Sequence, residues 1–464
     1  MRSIPFATRS YKNRSLPVSA QNLINLYTEP QDPDSKNLVV LHKRPGTVIF
    51  GTAGIIGMRG CHVMKGVHYV VVGGELYSGE SSGVYTLRGA IGGTGLVGMA
   101  DNGVQLVIVN GSSTYYIYTV AGGLVTGTDP DYKPAYTVAY LDAYFIFDET
   151  GTGNWFISNL LDGSILDSVD TATTYSHPDN VVAVKSNRKH LYVFGEESVE
   201  INAIVADPDF PFQRINEATL TKGCIARDTI QNINDSYYFL GSDKEFYRIN
   251  GGQLEIISDS NISNQINLID DVSDAESGVY EKGRHKFYIV TFRIGNKTLV
   301  YDTLTNVWHE WASFSNGFFS AFNGRGFCFV FGKRLMGDSR NGNIYELKDD
   351  VYSDAGEILK WQATSPPIHN NNEWQFFSRF YLDFESGVGL LSGQGIDPQV
   401  MLQYSDDGAI NFTNPVNRSI GKLGDYTNYG AEWRMLGRSK QRVWRISATD
   451  PVKTVIVGSY VDAT

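Results

Sequence analysis

Hydrophobic and polar positions along the chain fall into a recurring unit: a short apolar run, a turn rich in Gly, Asn, Asp or Ser, then a second short run. Copies begin at Val67 (VHYVVVGGELYSG), Gly103 (GVQLVIVNGSSTYYIY), Leu141 (LDAYFIFDETGTGNWFIS) and Lys189 (KHLYVFGEESVEIN). Three more begin at Asp235 (DSYYFLGSDKEFYRINGG), His285 (HKFYIVTFRIGNKTLVYD) and Gly326 (GFCFVFGKRLMGDSRNGNIYEL). Aromatic and β-branched residues suit pleated surfaces and the turn residues suit tight corners, so each unit predicts a β-hairpin. The starts are 36, 38, 48, 46, 50 and 41 residues apart. Propeller blades recur at about 40–50 residues, and seven similar hairpins are too many for one sandwich. The expectation is an all-β chain built on a β-propeller of six or seven blades.

Helical signal is scarce. Ser260 is expected to cap a short helix over Asn261 to Ile269, with Ile262, Ile266 and Ile269 on one face. Two regions lie outside the repeat. Residues 1–50 are polar, carry Pro17, Pro30 and Pro33, and lack strand alternation before Leu38, which predicts an extended N-terminal arm. The propeller is assigned to 51–355. Beyond it, Pro366-Pro367 and the polar run His369 to Glu373 mark a junction. The runs FFSRFYLDFES, VMLQYSDDG, RVWRISAT and KTVIVGSYVDA then predict a β-sandwich-like docking domain over 356–464.

Composition adds limits. The chain has 464 residues, too many for one ordinary core, and its 48 glycines, 27 tyrosines and 24 phenylalanines suit many short strands and tight turns. No run approaches the roughly 20 apolar residues of a membrane helix, so no membrane anchor is expected. Met1 to Tyr11 lacks the apolar stretch of a signal peptide, which predicts synthesis in a reducing cytoplasm. Cys61, Cys224 and Cys328 are far apart with no CxxC pair, so free thiols are expected rather than a disulfide or zinc site. The histidines (42, 62, 68, 177, 190, 285, 309 and 369) form no HxH, HxxxH or HExxH motif. The glycines of Gly89 to Gly95 lack the Lys-Ser/Thr of a phosphate loop. No metal, cofactor or catalytic residue is assigned. Net charge is 39 − 50 = −11. An acidic surface repels phosphates and would let a duplex slide past without gripping it.

Two basic clusters stand against this background. One holds Arg2, Arg9, Lys12 and Arg14; the other holds Arg434, Arg438, Lys440, Arg442 and Arg445. Arginine is favoured at protein interfaces, so the second cluster is read as a docking surface for acidic subunits. YDTLTNVWHEW (Tyr301 to Trp311) looks like part of a kelch-type blade, with its Asp turn and Trp on adjacent strands. Ser405 to Phe412 resembles the Asp-box of sialidase-type propellers, with Ala409, Asn411 and Phe412 in place of its Gly, Thr and Trp. That motif is a hairpin turn away from the active site, so it predicts an Asx-type turn. Arg379, Arg434 and Arg445 could be drawn as a sialic-acid triad, and the alternative reading is a carbohydrate-binding or carbohydrate-cleaving propeller.

The strings Met401-Leu-Gln-Tyr-Ser-Asp-Asp-Gly408, Trp433-Arg-Met-Leu-Gly-Arg438, Arg442-Val-Trp-Arg-Ile446 and Asp450-Pro-Val-Lys453 resemble the packaged-DNA-stabilisation family. These are tail-hub, or nozzle, proteins of short-tailed bacteriophages. Lys222-Gly223, SYYFLGSDKEFYRINGG (Ser236 to Gly252), NISNQI (Asn261 to Ile266), NLINLYTE (Asn22 to Glu29) and Arg44-Pro45-Gly46 resemble the same family. The resemblance implies a non-enzymatic virion protein that forms a homohexameric ring on the portal and its adaptor proteins. It implies closing the channel after packaging, retaining the genome, extending the DNA ejection channel, and anchoring tail spikes or fibres and a needle or plug. Double-stranded DNA would pass without sequence-specific binding.

Overall fold

The computed structural model describes residues 2–4, 6, 9–174, 179–207, 210–215, 218–427 and 430–464; His177, one of the histidines considered above, lies outside them. Each repeated hairpin lies within an antiparallel blade. Six separate four-stranded sheets span 58–90, 98–126, 138–173, 181–214, 231–256 and 324–348, the last including Gly46–Thr52. A further blade, 276–310, falls sixth in chain order and begins an 11-stranded sheet. The described residues therefore form a seven-bladed propeller.

Its central strands are apolar on both faces because each blade is packed between two others. In Gln105–Val109 of the second blade, Leu106 and Ile108 pack with Tyr69 and Val71 of the first. Val107 and Val109 pack with Phe145 and Phe147 of the third. This double burial turns a half-buried strand's alternation into a continuous apolar run.

The ring closes with a strand from the start of the chain. Gly46–Thr52 pairs antiparallel with Asn343–Lys348, from Gly46 opposite Lys348 to Thr52 opposite Asn343. It supplies the outer edge of the seventh blade.

The segment expected as an extended arm is largely woven into the C-terminal β-sandwich. Ala20–Ile24 pairs with Trp361–Thr364 in one sheet, and Leu26–Pro30 with Val39–Lys43 in the other. Asn25 switches between them at φ 57°. Strands this short, interrupted by a left-handed residue, show too little alternation to read as sheet. Leu23, Leu26 and Leu41 join Trp361, Phe380, Trp433 and Trp444 in the sandwich core. The two domains also share a sheet, since Ile24 pairs in parallel with Glu310 at the outer edge of the sixth blade.

The helix spans Ser260–Asn267 and is capped by Asp259, not Ser260. Asp259 Oδ1 accepts from the amides of Asn261 and Ile262 at 2.9 and 3.0 Å. An ionised carboxylate is the stronger acceptor at the positive end of a helix. Ile262, Ile266 and Ile269 pack on Phe246 and Trp308, between the fifth and sixth blades.

Candidate docking surface and propeller axis

The C-terminal basic cluster separates into exposed and buried members. Arg438 and Lys440 lie at a strand edge, their cations 4.7 and 5.7 Å from the ring centroid of Trp374. Phe376 stands opposite Arg438 in the register. Trp374 and Phe376 are each 55% exposed, and Met435 is 94% exposed. Successive strand residues point to opposite faces, so Trp374 and Phe376 turn outward while Gln375 and Phe377 are buried. Arg434 is also exposed and donates to Glu432 at 2.5 Å. Aromatic, Met and Arg side chains around one edge are the composition of an interface centre. The cations of this edge stand out in the sequence, whereas Trp374 and Phe376 are signalled there only as an aromatic pair two positions apart and Met435 not at all.

Arg442 is not part of that surface. Its side chain is 1% exposed and forms a fork with Asp406, Nε–Oδ1 at 2.6 Å and Nη2–Oδ2 at 2.7 Å. Its guanidinium also lies over Tyr404 at 4.0 Å and Phe377 at 4.6 Å. Arg442 is thus a structural cation inside the sandwich. Arg445 lies 3.4 Å over the Phe412 ring, and burial pushes its guanidinium down to about 10. Its strand is in the other sheet from Arg379 and Arg434, which pair in register. Arg379 is engaged with Asp462 and Glu432.

In the basic N-terminal segment, Arg9 lies 4.5 Å over Tyr11, while Lys12 and Arg14 are exposed. The Pro17 carbonyl accepts from Gln441 Nε2 at 3.1 Å, which sets this segment beside the C-terminal basic strand.

The Asp-box-like segment is a turn. Asp407 Oδ1 accepts from Ser405 Oγ at 2.6 Å and from the amides of Ile410 and Asn411 at 3.1 and 3.0 Å. The Ser405 hydroxyl and the Asn411 amides hold the Asp407 carboxyl down at about 2. The Gly89 to Gly95 loop wraps the buried Arg59, which donates to the carbonyls of Gly95, Gly73 and Gly92 at 2.6, 2.9 and 3.0 Å. The kelch-like unit places Asp302 and Trp308 on adjacent strands. Asp302 accepts from the Leu304 amide and the Thr305 hydroxyl, and Trp308 Nε1 donates to the Ile257 carbonyl.

At the propeller axis, side chains bridge the inner strands. Arg325 of the seventh blade meets Glu276 of the sixth at 2.5 Å and donates to the Met58 carbonyl of the first at 2.8 Å. His62 and Asp101 join the first and second blades at 2.5 Å. Beside them a cavity of about 370 Å³ is lined by His62, Asp101, Tyr140, Lys185 and Asn232. The lining mixes both signs of charge.

Among the described residues, no helix is long and apolar enough to cross a membrane. No curated protein sequence matches the chain. Solved structures similar to it include a computationally designed protein, Ika8, at 10% identity and TM-score 0.40, covering 65% of this chain and 99% of that one. The WD40 beta propeller domain of Doa1 is 9% identical at TM-score 0.42, covering 66% and 98%. The N-terminal domain of Nup159 is 10% identical at TM-score 0.41, covering 70% and 99%. The family described as "Bacteriophage P22 Gp10, beta-propeller" matches residues 2–352, and "Bacteriophage P22 Gp10, beta-sandwich" matches 360–464. With both domains present in that order, the chain belongs to the bacteriophage P22 Gp10 family of structural phage tail proteins.

Proposed function

We propose that this chain is the tail hub that closes the portal channel after packaging, retains the genome and prolongs the path of DNA ejection. The observation that carries this reading is the family match to both domains, which together take in nearly the whole chain. A hub must hold its shape under the pressure of packaged DNA. The sheet continuous from the sixth blade into the sandwich and the N-terminal strand closing the seventh blade supply that stiffness.

The bridged propeller axis supports a ring of chains around the DNA. The Arg325–Glu276 and His62–Asp101 pairs tie the inner strands of neighbouring blades together, so the axis is read as closed to a duplex. The DNA path would run between copies, and closed rotational symmetry with about six chains is the arrangement the family resemblance implies. Each copy brings a net charge of −11, so such a ring would repel phosphates rather than hold them. The edge formed by Trp374, Phe376, Arg438 and Lys440 is proposed as a docking surface for acidic portal or adaptor subunits. Other surfaces would carry tail spikes or fibres and the needle or plug.

The test is to assemble particles without this chain and measure nuclease-accessible DNA over time. Heads that package and then leak support the proposal. Heads that keep their genome contradict it.

A further inference from the structure

The first and seventh blades meet across a cluster of three metal-ligating side chains. Cys61 lies in the inner strand Met58–Met64, His68 in Val67–Val72, and Cys328 in the seventh blade's Gly324–Val330. Cys328 Sγ is 3.3 Å from His68 Nε2, and the three ligand atoms lie within 4.8 Å of one another. A tetrahedral zinc-type ion with bonds of about 2.3 Å to sulfur and 2.0 Å to nitrogen sets such donors about 3.5–3.8 Å apart.

The imidazole is already oriented for this. His68 Nδ1 is 2.8 Å from the Tyr85 hydroxyl, and the ring is fully buried. With Nδ1–H donating to Tyr85, the Nε2 lone pair faces Cys328, the arrangement in which a neighbouring group fixes a ligand histidine. Apolar side chains surround the cluster: Met58, Val70, Val72 and Leu335. Cys328 also borders a cavity of about 380 Å³ that offers an ion a way in.

We infer that Cys61, His68 and Cys328 bind one thiophilic divalent ion of the zinc class, tying the first blade to the seventh. Two thiolates and an imidazole favour that class over calcium or magnesium, which prefer oxygen. Binding releases the two thiol protons, so affinity falls as the pH falls. Three protein donors leave the fourth tetrahedral position to a small exogenous ligand. The ion would add a second closure beside the Gly46–Thr52 strand. This inference rests on the propeller alone and stands or falls separately from the tail-hub reading.

The test uses the full-length reduced protein titrated with Co²⁺ as a spectroscopic stand-in for Zn²⁺. The expected result is about one equivalent bound, with thiolate-to-cobalt charge-transfer absorption. Zinc should displace the cobalt and raise the thermal midpoint. Cys61→Ser and His68→Asn should each abolish the absorption, whereas Cys224→Ser, at a different blade interface, should keep it. Wild-type protein that shows no charge-transfer absorption would overturn the inference, and so would His68→Asn that binds cobalt like wild type.

Discussion

Arg44 donates its Nε to the Asn25 amide oxygen at 2.8 Å, and both side chains are fully buried. Arg44 also grips Asp354 through both Nη atoms, at 2.9 and 2.6 Å, and lies 4.7 Å over Phe322. Asn25 accepts a further bond from the Ala312 amide and donates to the Ala312 and Lys360 carbonyls. These residues link the N-terminal segment to the stretches before and after the seventh blade. Removing one partner of a buried ion pair costs about 3–5 kcal/mol, so Arg44→Met should destabilise the protein by that order. Asn25→Ala should cost about 3 kcal/mol or more, because it strands several buried groups and puts Ala in a left-handed conformation. Chemical denaturation of the purified variants checks both.

Two neighbouring arginines should behave oppositely. Arg442→Glu buries a negative charge among aromatic rings and faces Asp406, so the sandwich should fail to fold. Arg438→Glu, alone or with Trp374→Ala, changes only the exposed edge and should leave the circular dichroism spectrum and the thermal midpoint nearly unchanged. The same substitutions should block incorporation into particles. A folded Arg438→Glu/Trp374→Ala variant that assembles normally would remove this edge from the docking account.

His309 gives the fold an acid-sensitive point. It is fully buried against Phe287, and among the described residues neither ring nitrogen has a hydrogen-bond partner. Burial pushes it down to about 4, with Asp302 opposing the shift and His285 reinforcing it. The unfolded chain takes up this proton near pH 6.5 and the folded chain resists it until about 4. Its contribution is therefore complete above about pH 6.5 and is lost as the pH falls towards 4, an effect of about 3 kcal/mol. His309→Phe should flatten the stability profile in that window, as measured by urea denaturation at stepped pH.

Removing residues 1–52 should cost more than a flexible arm would. It takes the outer strand from the seventh blade, exposes the edge of Asn343–Lys348, and removes Leu23, Leu26 and Leu41 from the sandwich core. The truncated chain should aggregate or show early protease cleavage in the seventh blade.

The propeller was legible because its hairpins sit locally in the chain: each strand pair lies between neighbouring turns, and the run-turn-run pattern survives double burial. What was not legible depended on partners far away in sequence. Leu26 becomes a core residue only because Val39–Lys43 lies beside it and the C-terminal strand extends that sheet. Arg442 and Arg438 look alike in a basic run, yet the chain passes from one sheet to the other between them: Arg438 pairs with Phe376 at an exposed edge, whereas Arg442 pairs with Ile368 and packs on Tyr404 and Asp406. Cys61 and Cys328 meet because the ring closes, which no local spacing encodes.

We propose this chain as a stoichiometric part of the phage tail, placed under the portal. Quantitative mass spectrometry of purified particles tests it directly, as the ratio of this chain to the portal subunit. About one copy for every two portal subunits is expected, the ratio of a six-fold hub beneath a twelve-fold portal. A ratio near zero would contradict it.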